Sequence, residues 1–194
     1  QPPGPPRHAR PSSAFAMNLS DDDFTLFGLP QRFAQERDAL DGRWRALQAQ
    51  VHPDRFAADG AAAQRRAMQW SVRVNEAYAR LRDPLRRAAY LCELRGAPIE
   101  AESNTAMPPA FLMQQMAWRE ALDEAPDIAT VERLDADVRQ VEAEQLATLQ
   151  RLLDGDDGSG AGANAAAAAA QVRALMFILR FRADLERRLD AADA

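Results

Sequence analysis

The sequence predicts an all-α protein, an N-terminal helical hairpin followed by a C-terminal three-helix bundle. Three observations point there. Apolar residues recur every three or four positions, prolines and glycines fall between those periodic runs, and no segment shows the alternation of a half-buried strand.

Composition narrows the class. The 194 residues are 47% hydrophobic and 27% charged, enough for a sizeable core and unlike a disordered or fibrous chain. Arginines or acids interrupt every apolar run, including Leu175 to Phe181, before it reaches the roughly 18 residues of a membrane span. Cys92 is the sole cysteine, which excludes an internal disulfide framework, and His8 and His52 add too few ligands for a zinc centre. That usage fits a reducing, cytoplasmic compartment. All 24 basic residues are arginine, a bias that lowers the weight of any single one. Residues 18–96 carry 13 arginines against 11 acids, whereas residues 97–194 carry 9 against 18. An acidic second half repels a phosphate backbone, so protein partners are expected rather than nucleic acid.

Residues 1–17, rich in proline and without periodicity, read as a disordered leader, with Met17 a natural place for a chain to begin. Its arginines without acids leave an organelle-targeting or cloning-derived origin open. Phe24, Leu26, Phe27 and Leu29 form an apolar knot after Asp21 to Asp23, read as a short docked helix. Leu40, Trp44, Leu47 and Val51 place one stripe inward on a helix that Pro53 ends near His52. A second long helix follows Gly60 with Ala67, Trp70, Val74, Ala77, Tyr78 and Leu81 on one face, so the two pair antiparallel. Trp44, Trp70 and Tyr78 are expected in the core. Asp83 and Pro84 cap and start a further helix through Leu91 toward Gly96. The three prolines of residues 97–109 mark a linker and the domain boundary.

Beyond it, residues 110–194 hold three helices. The first runs from Pro109 to Glu124, Asp127 caps the second, and Val172 to Leu189 forms the third. Gly155 to Ala170 reads as a flexible glycine-rich connection, then alanines whose helix propensity extends the last helix backwards. Leu175, Met176, Phe177, Ile178 and Leu179 cannot all face inward, so part of that run is exposed or covered by another helix.

Catalytic chemistry finds no support. One histidine lies in the folded part and no lysine follows a phosphate-cradling glycine pattern, so neither a nucleophilic triad nor a nucleotide site is expected. No catalytic residue, metal site or cofactor is assigned. A lone thiolate cannot hold a cluster, and Cys92 beside Leu91 reads as a small buried residue. The acidic pairs Asp123–Glu124 and Glu142–Glu144 read as solvated helix faces. What remains is His52-Pro53-Asp54 at the tip of the hairpin. Taken alone it reads as a tight turn in which Asp54 satisfies backbone donors.

Its surroundings change that weighting. Asp23-Phe24-Thr25-Leu26-Phe27-Gly28-Leu29-Pro30, Val51-His52-Pro53-Asp54-Arg55-Phe56, Asn75-Glu76-Ala77-Tyr78 and Leu81-Arg82-Asp83-Pro84 together resemble the J-domain of DnaJ-type co-chaperones. Arg87 to Gly96, and Phe111-Leu112-Met113-Gln114-Gln115-Met116 leading to Glu124, narrow the resemblance to the HscB family of iron-sulfur cluster assembly. It spans residues Asn18 to Arg188 and breaks mainly at the glycine-alanine connection.

The resemblance implies a J-domain over 18–96 that binds a dedicated DnaK-type ATPase chaperone, HscA in bacteria, and a C-terminal domain over 110–194 that binds the cluster scaffold IscU. It implies a regulator, not an enzyme. His52, Pro53 and Asp54 would contact the chaperone, with Arg43, Arg45 and Arg55 adding complementary charge. Two departures weaken that expectation: Val51 stands where an aromatic is usual, and Gln48, Ala49 and Gln50 leave the helix end neutral. The matching scaffold-binding positions are Leu112, Met113, Met116, Glu120, Glu124 and Phe177, with Ala117 in place of an acid. By spacing alone a methionine-leucine stripe on a helix is core. A J-protein with another client, an independent helical hydrolase and a purely structural coiled-coil adaptor stay open as rivals.

Overall fold

The computed structural model describes residues 18–103, 106–155 and 161–192. The expected leader, residues 1–17, and the centre of the glycine-rich connection, residues 156–160, lie outside the described residues. Among the described residues there are seven α-helices and one 3₁₀ turn, and no strand.

The acidic triplet before the first helix divides its labour. Asp22 caps α1 (Asp23–Phe27), its Oδ1 accepting from the amides of Phe24 at 2.9 Å and Thr25 at 3.1 Å. Partial burial works to raise the Asp22 carboxyl, but the bonds from the Thr25 hydroxyl and the two amides outweigh it and hold the group below its ordinary value. Asp23 is fully buried and meets two guanidinium groups, Arg73 Nη1 at 2.7 Å and Arg80 Nη1 at 3.0 Å. A buried carboxylate without such partners would cost several kcal/mol, so this pair of arginines fastens α1 to the hairpin. Gly28 ends α1 in the left-handed region at φ 61°, where a side chain would be strained.

The hairpin is α2 (Arg37–Val51) against α3 (Ala61–Arg82), joined through a 3₁₀ turn at Pro53–Phe56. Leu40, Leu47 and Val51 face Trp70, Val74, Ala77 and Leu81 in the buried core. Trp44 and Tyr78 pack against this core as expected but stay half-buried at its edge, stacked at 4.8 Å between centroids. Each carries a polar atom that needs a partner, and the edge supplies one. Tyr78 donates to Asp41 Oδ1 at 2.7 Å, while Trp44 Nε1 and Gln48 Nε2 both donate to Asn75 Oδ1. Asp83 caps α4 (Pro84–Leu94) by accepting from the Arg86 amide at 2.9 Å.

The remaining helices are α5 (Pro109–Asp123), α6 (Ile128–Asp154) and α7 (Ala161–Asp190). Asp127 caps α6 through the Thr130 amide at 2.8 Å. The alanine run does extend the last helix, which begins at Ala161 rather than Val172. Its buried Ala165, Ala168 and Ala169 give α7 a narrow side, and α7 packs against α4, where Ala88 is equally buried.

Two apolar cores result, and they meet on α7. The first joins α1 to α4 with Leu149, Leu153, Ala168, Val172 and Leu175 of α6 and α7. The second gathers Phe111, Trp118, Val131, Leu134, Val138, Ala174, Ile178, Phe181 and Leu185. The run from Leu175 to Leu179 is thereby covered on both sides: Leu175, Met176 and Leu179 pack into the first core, Phe177 and Ile178 into the second. The expected linker is held at two described points, since the buried Arg173 of α7 donates to the carbonyls of Ala106 at 2.5 Å and Ile99 at 3.1 Å. Cys92 lies inside the first core, and burial pushes its thiol up to about 11 against the opposing influence of Arg95 and Arg173.

Candidate functional site

Two exposed surfaces carry the residues singled out by the sequence. At the hairpin tip, Pro53 cannot donate a helical hydrogen bond, so α2 stops and His52 turns to extended geometry (φ −60°, ψ 127°). The His52 ring then becomes the cap of the 3₁₀ turn, its Nδ1 accepting from the Asp54 amide at 3.3 Å. With Nδ1 as acceptor, the neutral ring carries its proton on Nε2. The Asp54 carboxylate stands 3.6 Å from Nδ1 and is 90% exposed, with His52 56% exposed. The bland reading, that Asp54 uses its carboxylate on nearby backbone donors, fails: the histidine takes that role and leaves the carboxylate facing solvent.

The three arginine and three loop assignments separate in space. Arg55 Nη1 donates to the Ala49 carbonyl at 2.9 Å, placing a cation on the negative end of α2 beside the turn. Arg45 precedes His52 by seven residues, two turns, so both lie on the same side of α2. Arg43 sits about 200° around the helix from Arg45. Its guanidinium lies instead over the end of α1, its Cζ 4.0 Å from where a Gly28 Cβ would stand. His52, Pro53, Asp54, Arg55 and Arg45 can thus face one partner, and Arg43 lies on the opposite side of α2. Val51, the departure from the aromatic pattern, is completely buried and part of the core.

The second surface is the outer side of α5. Phe111 and Trp118 bury the inner side, and Leu112 (42%), Met113 (72%) and Met116 (68%) are left exposed. Glu120 and Glu124 continue the exposed row to the C-terminal end of the helix. The default assignment of this stripe to the core is therefore corrected: the aromatic positions one residue out of phase take the core instead. Phe177 behaves differently from its five companions. It is half-buried, packed edge-on against Phe111 at 5.8 Å and stacked with Phe181 at 6.1 Å. Arg119, which the sequence did not mark, covers its ring at 5.3 Å. Ala117 is exposed beside this row and leaves a gap in its charge. Flexible thioethers beside carboxylates suit a partner that offers an apolar patch rimmed by cations.

Among the described residues no cluster of histidine, cysteine and acids is grouped for a metal ion, and no helix is long and apolar enough to cross a membrane.

A family model described as the HSCB C-terminal oligomerisation domain matches residues 107–186. A co-chaperone protein HscB homolog from Cupriavidus taiwanensis is 53% identical over 175 residues, covering 89% of this chain and 96% of the relative. The chain belongs to the HscB family of co-chaperones. The HscB structure from Vibrio cholerae superposes with a TM-score of 0.72 at 36% identity, covering 88% of this chain and 99% of the other. Human HscB gives a TM-score of 0.75 at 26% identity, covering 99% and 94%. HscB chaperones share the all-α architecture seen here.

Proposed function

We propose that this HscB-family protein docks its His52-Pro53-Asp54 turn on a dedicated DnaK-type ATPase chaperone of the HscA kind. In the same reading it delivers the cluster scaffold IscU, held on the α5 face, for iron-sulfur protein maturation in the cytoplasm. It acts as a regulator of its partner's hydrolysis and not as an enzyme. The J-domain is residues 18–96, the linker 97–109 and the scaffold-binding domain 110–194.

The observation that carries the reading is the state of the turn: its shape is set by Pro53 and His52, while the Asp54 carboxylate stays solvent-facing with cations beside it. A solvated carboxylate beside Arg55, with Arg45 two turns back on the same side of α2, suits a partner with an arginine to receive Asp54 and acids to meet the guanidinium groups. Stimulation follows from differential affinity, since a turn that binds the hydrolysis-poised chaperone better shifts the population toward it. A tenfold shift needs only about 1.4 kcal/mol of preference. At the other end, Met113 and Met116 supply burial and Glu120 and Glu124 supply charge for the scaffold, with Leu112 at the margin and Phe177 as the packed floor.

The deciding measurement is steady-state ATP turnover by the chaperone with and without this protein, each repeated with scaffold present. Faster phosphate release with the protein, raised further by the scaffold, is expected. No change in turnover at saturating protein would end the proposal.

A further inference from the structure

The C-terminal tip of α6 reaches back to the stretch that leads into α2. Asp154, the last residue of α6, accepts from the Phe33 amide at 2.6 Å through Oδ1 and from the Ala34 amide at 2.8 Å through Oδ2. One residue earlier, the Leu153 carbonyl accepts from Arg95 Nη1 at 2.6 Å, and Arg95 Nη2 reaches the Gln31 carbonyl at 3.4 Å. Phe33 is buried beneath the Arg87 guanidinium, 5.0 Å from its ring. Desolvation pushes Arg87 down, and the charge of Asp154 works against that loss.

This grip matters because α2 lacks a cap of its own. Glu36, at the N-cap position, makes no side-chain bond to the helix start. The irregular segment before it is held instead by a carboxylate about 120 residues away. Asp154 and Arg95 belong to neither docking surface, yet they lie between them: α2 ends in the turn, and α6 carries the bundle on which α5 rests.

We infer that Asp154 is a positioning residue, whose two-oxygen hold on the Phe33 and Ala34 amides fixes the seat of α2 and so the separation between the turn and the α5 face. The inference rests on the proposed function, because a fixed separation matters to a chaperone and scaffold that engage both surfaces together. Simultaneous engagement gains affinity only where the geometry permits it.

Spin labels at A39C on α2 and A121C on α5, both exposed positions, report the separation in the full chain by pulsed electron paramagnetic resonance. Cys92 is buried with its thiol pushed up to about 11, so it takes label slowly at neutral pH. A narrow distance distribution is expected for the parent protein, a broader one for D154N, which keeps one acceptor oxygen, and the broadest for D154A. D154E, which keeps both, should narrow it again. In the turnover assay, D154A should match the parent within about twofold for scaffold-free stimulation and for scaffold affinity. The extra stimulation on adding scaffold should fall about tenfold. An unchanged distribution in folded D154A overturns the inference, as does a broadened one with full joint stimulation. Equal losses in both turnover assays also overturn it, in favour of general damage to the fold. Should the parent protein itself fail to stimulate the chaperone, the proposed function falls, and the distance measurement alone decides the role of Asp154.

Discussion

The turn at residues 52–55 and the outer side of α5 are both exposed, but the chain holds them in different ways. In the turn, the atoms that set the local structure are the ones the proposed partner would meet: the His52 ring that caps Asp54 is itself half exposed, and Arg55 steadies α2 while presenting charge. On α5 the two tasks are split between faces. Phe111 and Trp118 anchor the helix, and Met113 and Met116 contribute nothing to the core. A substitution in the turn therefore changes shape and contact together, whereas one on α5 can change contact alone.

The largest effect expected from this contrast is at His52. H52Q removes the imidazole and should lower chaperone stimulation at least about a hundredfold, in line with the loss of a central contact. The far-ultraviolet circular dichroism should stay that of the parent, because the turn buries none of its residues. Stimulation at parental strength would remove the turn from the docking surface.

A smaller effect is expected on α5. M113A/M116A should weaken scaffold binding about ten- to a hundredfold in calorimetry, with thermal stability within about 0.5 kcal/mol of the parent. F177A should instead destabilise the protein by about 2–4 kcal/mol, since Phe177 packs between Phe111 and Phe181. Unaltered scaffold affinity in the folded double variant would break the comparison, and a loss of stability there would blur it.

The mildest prediction concerns pH and separates the two halves by their caps. Hydrogen bonds hold the carboxyls of Asp22 and Asp127 below their ordinary range, at Asp22 against an opposing effect of burial and at Asp127 chiefly through the Thr130 hydroxyl and amide. A depressed carboxyl stabilises the folded state above its unfolded pKa of about 4, and that contribution disappears as pH falls through the folded value. D22N and D127N should each flatten the decline of the melting temperature on acidification below about pH 4, with D22N also costing about 0.3–1 kcal/mol at neutral pH, because asparagine keeps the cap but loses the charge. Melting curves between pH 3 and pH 7 test it, and a parental slope in both variants would assign the acid sensitivity elsewhere.

Much of this was legible beforehand because it is local. Proline after His52, Asp83 before Pro84 and Asp127 before an apolar run each act within one helical turn, and the helices start and stop where those residues say. Exposure on α5 was not legible from spacing, because Leu112 and Met116 offer as regular a stripe as Phe111 and Trp118. Only the contact of Phe111 and Trp118 with Phe177 and Phe181 on α7 settles which stripe turns inward. The family resemblance singled out these α5 residues without that geometry, and the structure shows Leu112, Met113 and Met116 exposed. Trp44 and Tyr78 sat on the core stripe by periodicity and do pack against the core, but each stays half-buried with its polar atom hydrogen-bonded at the edge. Asp154 carried no signal at all, since its partners lie far away in sequence and are backbone amides, to which any residue type contributes equally.

The shared helix α7 has a consequence for synthesis. The first core closes over α4 with Ala168, Val172 and Leu175 of α7, made well after α1 to α4. A ribosome that has released α1 to α4 has therefore exported a module with an unfilled wall, which waits for α7 to emerge several seconds later. Until then the apolar side of α4 that these residues cover stays open to water, a sticky surface carried through the synthesis of α5 and α6.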